Sequence, residues 1–285
     1  IIFLVTCFNR KELTISSLGK LFDIFNKIKG VEFLVSLVDD GSKDGTYEAV
    51  KEKFPNVILT KGGGDLYWAG GMRLAFEKVK NYDCNAYLLF NDDVLLDADA
   101  VCQFIEFWKN LDKKSSPILV GPTHDGSGKT TYSGYIRNSI WRPRAVEKVL
   151  VEAGLFKNID MPNANFLMID AATFRRIGGM GDGYVHSLAD MSIGLRAKKM
   201  GGSVILFDKF IGVCKENSSI DSVLSKKTIR QRFNYLFSPK LGLNDFFVFC
   251  KEFFPWWLVP IYVLAFLAKR IKIIILSKRL AEKSK

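Results

Sequence analysis

Residues 86–93 read AYLLFNDD, an apolar run that ends directly in an amide and two carboxylates, Asn91, Asp92 and Asp93. An unbroken apolar run of this length predicts a strand covered on both faces, as in parallel sheets. Adjacent carboxylates at a strand end suit a hard divalent cation, because such ions prefer oxygen ligands. Asp and Asn also begin helices and turns, so the triplet alone is equally compatible with a structural role.

Strands and helices alternate along the first 110 residues. Strands are predicted over 1–5, 31–38, 57–60 and 86–90, and helices over 13–28, 46–54, 71–79 and 98–111. This alternation, with short connections, favours an α/β fold with a mostly parallel, Rossmann-like central sheet flanked by helices. Later runs predict strands over 166–169 and 203–207 and a helix over 190–200.

Polar side chains follow each of the first four strands. They lie in residues 6–10, 39–42, 61–65 and 91–93. Because ligands bind beyond the carboxyl ends of parallel strands, we expect these four clusters to meet at one edge of the sheet. Asp39 and Asp40 suit hydrogen bonds to a nucleotide base or ribose, although the pair is also typical of a turn before a capped helix.

Several ordered motifs resemble those of the family 2 glycosyltransferases of the GT-A fold: TCFNR at 6–10, VDDGSKDGT at 38–46 and FNDDV at 90–94. Residues 64–72, GDLYWAGGM, are similar to a glycine-rich loop of members that build bacterial surface polysaccharides, rhamnosyltransferase-like members included. The resemblance covers residues 1–215 and implies a GT-A glycosyltransferase domain there. Residues 216–285 are then a basic, apolar, helical C-terminal region.

The resemblance also implies roles for individual residues. Asp93 is implied as the ligand of a Mg²⁺ or Mn²⁺ ion, and Asn91 stands where the family usually has its first carboxylate. Six residues are implied to bind the nucleotide sugar: Thr6, Asn9, Arg10, Asp39, Asp40 and Asp92.

Residues 183–190, GYVHSLAD, are similar to the family segment in which a Glu-Asp pair precedes a helix. Ala189 replaces the Glu, and Asp190 is implied as the general base, with a helix cap as its structural alternative. A single base without an evident nucleophile implies one displacement with inversion at the anomeric carbon. His186 is a candidate contact to the acceptor or diphosphate, and Trp68 a candidate to stack on a sugar from the glycine-rich loop, unless these side chains are structural.

The charge of the chain is concentrated at its C-terminal end. The chain has 41 Lys and Arg against 30 Asp and Glu, a net charge of +11, of which residues 226–285 carry +10. With 48% hydrophobic residues the composition excludes a disordered chain, and five scattered cysteines argue against a disulfide framework or zinc site. Without a nucleic-acid-binding motif, the basic end does not indicate a nucleic-acid partner.

Residues 253–268 contain no charge but are too short to span a bilayer, which takes about 20 residues, and Pro255 and Pro260 interrupt them. Lys and Arg interleaved with Ile follow. This pattern predicts that residues 253–285 lie in a membrane interface, with a buried helix or a homodimer contact as alternatives.

Together these features predict an inverting, metal-dependent hexosyl- or deoxyhexosyltransferase. It would move a sugar from a UDP- or dTDP-sugar to a hydroxyl of a glycan or lipid-linked glycan. We expect it at the cytoplasmic face of a bacterial inner membrane, in cell-surface polysaccharide synthesis such as that of O-antigen. The alternative, left open by Asn91 and Ala189, is a non-catalytic nucleotide-sugar-binding or scaffold protein of the same fold.

Overall fold

The structure is a computed structural model that describes residues 1–217, 223–224, 227–236, 238–239 and 242–282. Its strands are β1 Ile2–Cys7, β2 Leu34–Asp39, β3 Ile58–Lys61, β4 Ala86–Asn91, β5 Leu95–Leu96, β6 Pro117–Val120, β7 Thr123–His124, β8 Gly134–Arg137, β9 Val146–Lys148, β10 Lys157–Asn158, β11 Met161–Pro162, β12 Phe166–Asp170, β13 Ser203–Leu206 and β14 Gly212–Val213. Its helices are α1 Lys11–Phe25, α2 Thr46–Lys53, α3 Tyr67–Val79, α4 Ala98–Asn110, α5 Ala171–Arg176, α6 Ala189–Lys199, α7 Ile229–Leu236, α8 Leu243–Phe253 and α9 Val259–Glu282.

The central sheet has eight strands in the order β10-β13-β6-β12-β4-β1-β2-β3. Strands β3, β2, β1 and β4 are parallel, β12 runs antiparallel between β4 and β6, and β10 runs antiparallel to β13. The predicted α/β fold with a mostly parallel sheet is therefore confirmed, and the sheet is mixed. The direction of β12 was not predicted, because a strand buried on both faces has the same apolar pattern in either direction.

Two hydrophobic clusters cover the two faces of the sheet. Alternate residues of β1 enter opposite clusters, as the two-residue period of a strand requires: Leu4 faces α3 and α6, and Phe3 faces α1 and α4. Both faces are thus filled, so the polar groups at the strand ends lie at the remaining open edge.

Helix α3 begins four residues earlier than predicted, at Tyr67 and not at Gly71. Glycine disfavours a helix interior, but at Gly71 a Cβ would overlap the Thr6 hydroxyl and lie 2.8 Å from its Cβ. The glycine therefore allows α3 to approach the end of β1. Consequently Trp68 lies in the first turn of α3, and its predicted position in a loop is wrong.

The C-terminal region contains α7, α8 and α9. Phe249 and Phe254, in and directly after α8, are buried in the same cluster as Leu4 of the sheet. Among the described residues, no helix is long and apolar enough to cross a membrane. Part of the predicted C-terminal region lies outside the described residues: 218–222, 225–226, 237, 240–241 and 283–285.

Candidate active site

The polar clusters of the first four strands meet at one edge of the sheet, as the sequence predicts. In the register of the parallel strands, Thr6 lies beside Asn91 and Cys7 beside Asp39. Adjacent strands are about 4.8 Å apart, so side chains from three strand ends converge on one small region. Helix α3 covers this region from the side of Thr6.

Asp92 is a buried carboxylate with both oxygens engaged. Its side chain is 2% exposed; Oδ1 accepts a hydrogen bond from Arg10 Nη1 at 3.0 Å and Oδ2 one from Thr14 Oγ1 at 2.6 Å. Burial raises the pKa of Asp92, while the bonds from Thr14 and Arg10 act in the opposite direction. Asp92 is thus held in one orientation by the turn and helix that follow β1.

Asp93 is the open carboxylate of the triplet, with its side chain 32% exposed. Its Oδ2 lies 3.3 Å from Arg10 Nη1, and its Oδ1 lies 3.8 Å from the Cys214 thiol. Burial, with the charge of Asp93, raises the pKa of Cys214 to about 12, so the thiol keeps its proton at neutral pH.

These groups limit how a metal ion could bind. Within the part of the chain that the structure describes, no three His, Cys, Asp or Glu residues form a metal cluster. Of the two adjacent carboxylates, Asp93 is the accessible one, because Asp92 is buried and both of its oxygens already have donors. The residues therefore fit a hard cation that takes one protein carboxylate and completes its shell with diphosphate oxygens and water.

Asn91 and Trp68, which the sequence assigned separately, contact each other. The indole Nε1 of Trp68 donates to Asn91 Oδ1 at 2.7 Å, and the ring packs against the core. The backbone N–H of Asn91 donates to Asn165 O at 3.0 Å, directly before β12. Trp68 therefore links the first turn of α3 to the end of β4.

Asp39 and Asp40 differ in what their oxygens contact. Asp39 is fully buried; Oδ1 accepts from the Ser42 N–H at 2.8 Å, whereas Oδ2 has no hydrogen-bond partner among the described residues. A buried oxygen without a donor is unusual in proteins and suits a donor group on a ligand. Asp40 instead accepts the backbone N–H groups of Gly64 and Tyr67, which holds the glycine-rich segment against β2.

Asn9 connects the turns that follow β1 and β2. Its Oδ1 accepts from the Lys43 N–H at 2.8 Å, and its own N–H donates to Ser42 Oγ at 2.8 Å. Its φ of 51° lies in the left-handed region. Tyr67 and Leu188 are also left-handed, with φ of 54° and 61°, so three such non-glycine residues surround the same edge, as is common at functional sites.

Asp190 is a half-buried residue in the first turn of α6. Its Oδ2 accepts from the Ala164 N–H at 3.3 Å and its Oδ1 from the Met191 N–H at 2.9 Å. Burial raises the pKa of Asp190. The next residue after Ala164 is Asn165, whose carbonyl oxygen accepts the N–H of Asn91. Residues 164–165 therefore connect Asp190 with the end of β4.

His186 lies in the loop of residues 183–188, which leads into α6. The ring of Tyr67 faces it edge-on, with centroids 6.2 Å apart. Val185 O accepts the Ala69 N–H at 3.0 Å, and Arg73 Nη2 donates to Tyr184 O at 2.9 Å. The loop thus packs against the first turns of α3.

Sequence reasoning missed residues that hold the site together: Thr14, Arg73, Asn165, Cys214 and Asp245. Only Thr14 has a local signal, because it lies four residues after Arg10 and so lies on the same side of the chain at the start of α1. The others reach the site from distant parts of the chain.

The comparisons with known proteins agree with this architecture. The family model "Glycosyl transferase family 2" matches residues 2–169. A mannosyltransferase, PcManGT from Pyrobaculum calidifontis, solved in complex with GDP-Man and Mn²⁺, superposes with a TM-score of 0.54 at 14% identity, over 100% of this chain and 75% of that chain. No curated protein sequence matches significantly. The structural likeness supports the fold, the family model covers more than half of the chain, and the chain belongs to glycosyl transferase family 2.

Proposed function

We propose that the protein is an inverting glycosyltransferase in which Asp190 is the general base. The observation that carries this proposal is the position of Asp190: it is a half-buried residue whose carboxyl has a raised pKa, and residues 164–165 join it to the strand end that precedes Asp93. A base with a raised pKa takes a proton more readily, which suits an acceptor hydroxyl.

The donor side of the site is the strand-end cluster. Asp39 Oδ2 is a buried acceptor for an N–H of the base or a hydroxyl of the ribose. Thr6 and Asn9 lie at the same edge, and Arg10 brings a positive charge beside Asp92 and Asp93. We propose a UDP- or dTDP-sugar as donor, with GDP-mannose, the ligand of the Pyrobaculum calidifontis neighbour, as the competing outcome.

Asp93 would hold a Mg²⁺ or Mn²⁺ ion, whose charge stabilises the leaving diphosphate. The neighbour is bound to Mn²⁺. Asp92 and Arg10 keep Asp93 beside the nucleotide pocket, and Asp190 accepts the acceptor's proton. The acceptor oxygen then forms its bond to the anomeric carbon while the bond to the diphosphate breaks, which inverts the configuration.

A donor screen tests this proposal. The melting temperature of the whole chain is measured with UDP-, dTDP- and GDP-sugars in the presence of Mn²⁺ or Mg²⁺, since a ligand that binds only the native state raises it. Asp190→Asn should keep the shift caused by the donor and lose sugar transfer. Transfer at the wild-type rate would refute the base assignment, and donor binding without transfer by the wild type would favour a scaffold protein.

We also propose that the protein binds a membrane surface and acts on a lipid-linked glycan there. Helix α9 turns apolar side chains outward: Leu264 is 67% exposed, Ile261 is also exposed, and Trp256 just before the helix is 82% exposed. Lys269 and Lys272 follow on the same exposed side. Exposed Trp and Leu beside Lys are typical of segments that lie in an anionic membrane interface.

The loop between β8 and β9 extends this apolar surface. Ile140 and Trp141 at its tip are exposed, Trp141 O accepts a hydrogen bond from Tyr262 of α9, and Arg144 lies over the ring of Phe266. Burial and, next, the charge of Asp190 raise the pKa of Tyr135, which lies in β8 at the other end of the same hairpin. The hairpin therefore extends from the proposed membrane surface towards the base. This arrangement supports only the membrane part of the proposal. From the resemblance of residues 64–72 we further propose a cytoplasmic-face enzyme of bacterial surface polysaccharide synthesis, such as that of O-antigen, that transfers a hexosyl or deoxyhexosyl group.

Vesicle flotation tests the membrane proposal. The whole chain should float with phosphatidylglycerol vesicles, much less with phosphatidylcholine vesicles, and less at high salt. Leu264→Glu should weaken binding, whereas Leu95→Glu, at an exposed apolar position on β5, should not. If Leu264→Glu instead converts a dimer to a monomer and leaves flotation unchanged, the surface is a homodimer contact.

A further inference from the structure

Asp245, in the first turn of α8, is a buried carboxylate that binds the backbone of a distant loop. It is 1% exposed, and its oxygens accept the N–H groups of Val185, His186 and Ser187, the first two at 2.9 Å. Three successive backbone N–H groups form a concave anion site, here filled by a side chain of the same protein. A carboxylate this deeply buried requires such partners, because a charge without them is costly to bury.

The loop that Asp245 binds carries the proposed chemistry. It contains His186, passes through the left-handed Leu188 and enters α6, where Asp190 lies. At its other side, Val185 O accepts the Ala69 N–H, next to Trp68. Asp245 therefore fixes a short backbone segment between the proposed base and the helix turn that contacts the end of β4.

Other residues of α8 contact the same loop. Asn244 Nδ2 donates to Gly183 O at 2.8 Å, and the Tyr184 hydroxyl donates to Glu252 Oε2 at 2.7 Å. Gly183 has a φ of 83°, and a Cβ there would lie 3.2 Å from Val248 of α8. One helix thus contacts the loop from residue 183 to residue 187.

We propose that Asp245 is a positioning residue for sugar transfer, which acts by holding residues 185–187 so that Asp190 faces the acceptor. This inference rests on the proposed function of Asp190. It makes α8 a part of the active-site scaffold, although the helix lies outside the residues matched by the family model. Loss of the clamp should misplace the base without altering the strand-end pocket, because the hydrogen bonds of Asp245 among the described residues reach the loop and its neighbour Asn244 and not the strand ends.

Asp245→Asn in the whole chain tests the clamp. Asn keeps the size of the side chain but turns an NH₂ group towards an N–H, so it cannot accept all three hydrogen bonds. We expect kcat to fall about 100-fold, the loss typical of a displaced catalytic group, with an unchanged donor KM. Amide hydrogen exchange at 185–187 should accelerate while exchange in β1 and β4 stays slow.

Asp23→Asn is the matched control, because Asp23 is an exposed carboxylate on α1, and it should leave every readout unchanged. If Asp245→Asn does not fold, Asn244→Ala removes one bond between the same helix and loop and should lower kcat, by less, at constant donor KM. Wild-type kcat in Asp245→Asn would overturn the proposal, as would parallel changes in kcat, donor KM and exchange throughout the sheet.

The two proposals fail in different ways. If the wild type transfers no sugar, the proposed function is wrong, and hydrogen exchange in Asp245→Asn still shows whether the carboxylate holds the loop. If the wild type transfers sugar and Asp245→Asn equals it, only the positioning role is wrong.

Discussion

Asp92 and Asp93 are adjacent in sequence, yet the tertiary structure gives them different tasks. Asp92 is buried and bonded to Arg10 and Thr14, whereas Asp93 is accessible and lies beside a protonated thiol. Burial of Asp92 is tolerable because two donors compensate for lost water. Arg10 contacts both carboxylates. It therefore links the accessible Asp93 to the buried Asp92 and helps to hold Asp93 in place.

Thr14→Val should destabilise the protein by about 1–3 kcal/mol, because it leaves a buried oxygen of Asp92 without its donor while keeping the side-chain shape. Urea denaturation measures this change, and donor binding should weaken as Asp92 loses its orientation. Thr60→Val on the edge strand β3 is the control, with no comparable loss expected. Equal stability of Thr14→Val and wild type would show that the hydrogen bond from Thr14 to Asp92 does not stabilise the fold.

The raised pKa of Asp190 predicts the pH dependence of transfer. The base must be ionised, so the acid limb of the rate profile should lie above the ordinary Asp value of 3.8. A steady-state pH–rate profile measures this limb, and one centred at or below 3.8 would contradict the burial argument.

A stability measurement checks the same shift without activity. A folded-state pKa above the unfolded value means that the carboxyl contributes stability at low pH, which is lost as pH rises through the folded pKa. The side chain of Asn in Asp190→Asn does not ionise. As pH rises from acid to neutral, the free energy of unfolding of the wild type should therefore fall relative to that of the variant. Parallel denaturation curves across this range would contradict the shift.

At the scale of elements, the approach of α3 to β1 places Trp68 and the glycine-rich segment over the strand ends. Gly71 allows this contact because it presents no Cβ to Thr6, and Asp40 fixes the start of the helix through the Tyr67 N–H. The close approach brings the indole of Trp68 within hydrogen-bond distance of Asn91.

Gly71→Ala should therefore destabilise the protein by about 1–3 kcal/mol through overpacking, and should weaken donor binding as Thr6 moves. Gly19→Ala provides the opposite case. Gly19 lies inside α1 with no atom near an added Cβ, so alanine should stabilise by about 1 kcal/mol through helix propensity. Thermal or urea unfolding of both variants decides whether contact or propensity dominates at Gly71.

At the scale of the whole molecule, α8 shares the core of the glycosyltransferase body. Phe249 and Phe254 are buried with residues of the central sheet, and α9 covers a further cluster that includes Phe246 and Phe266. The basic C-terminal region is thus in contact with the body through α8, while the outer side of α9 stays exposed.

Two truncated chains test this division. A chain that ends at residue 241 loses α8 and exposes part of the main cluster, so it should lose its cooperative unfolding transition. A chain that ends at residue 258 keeps α8 and should unfold cooperatively at a reduced melting temperature. Calorimetry compares them, and equal melting temperatures would show that α8 is not part of the folded core.

The order of the first four strands and four helices, and the meeting of their polar clusters at one sheet edge, followed from the sequence, whereas the two-residue strand β5 did not. Local pattern is sufficient for these features, because apolar period and strand ends are properties of neighbouring residues. The early start of α3 did not follow, because Gly71, which disfavours a helix there, is required by a contact with Thr6, sixty-five residues earlier in the chain.

The sequence by itself determined the family of this protein and the residue types at its strand ends, since both are written in contiguous motifs. Only the tertiary structure decided which carboxylates are open: Asp40 and Asp92 are engaged, Asp93 is accessible, and one oxygen of Asp39 has no partner within the part of the chain that the structure describes. It also brought Asp245 of α8 into contact with the loop that precedes Asp190. Burial and hydrogen bonding arise from contacts between distant segments, and no local pattern encodes them.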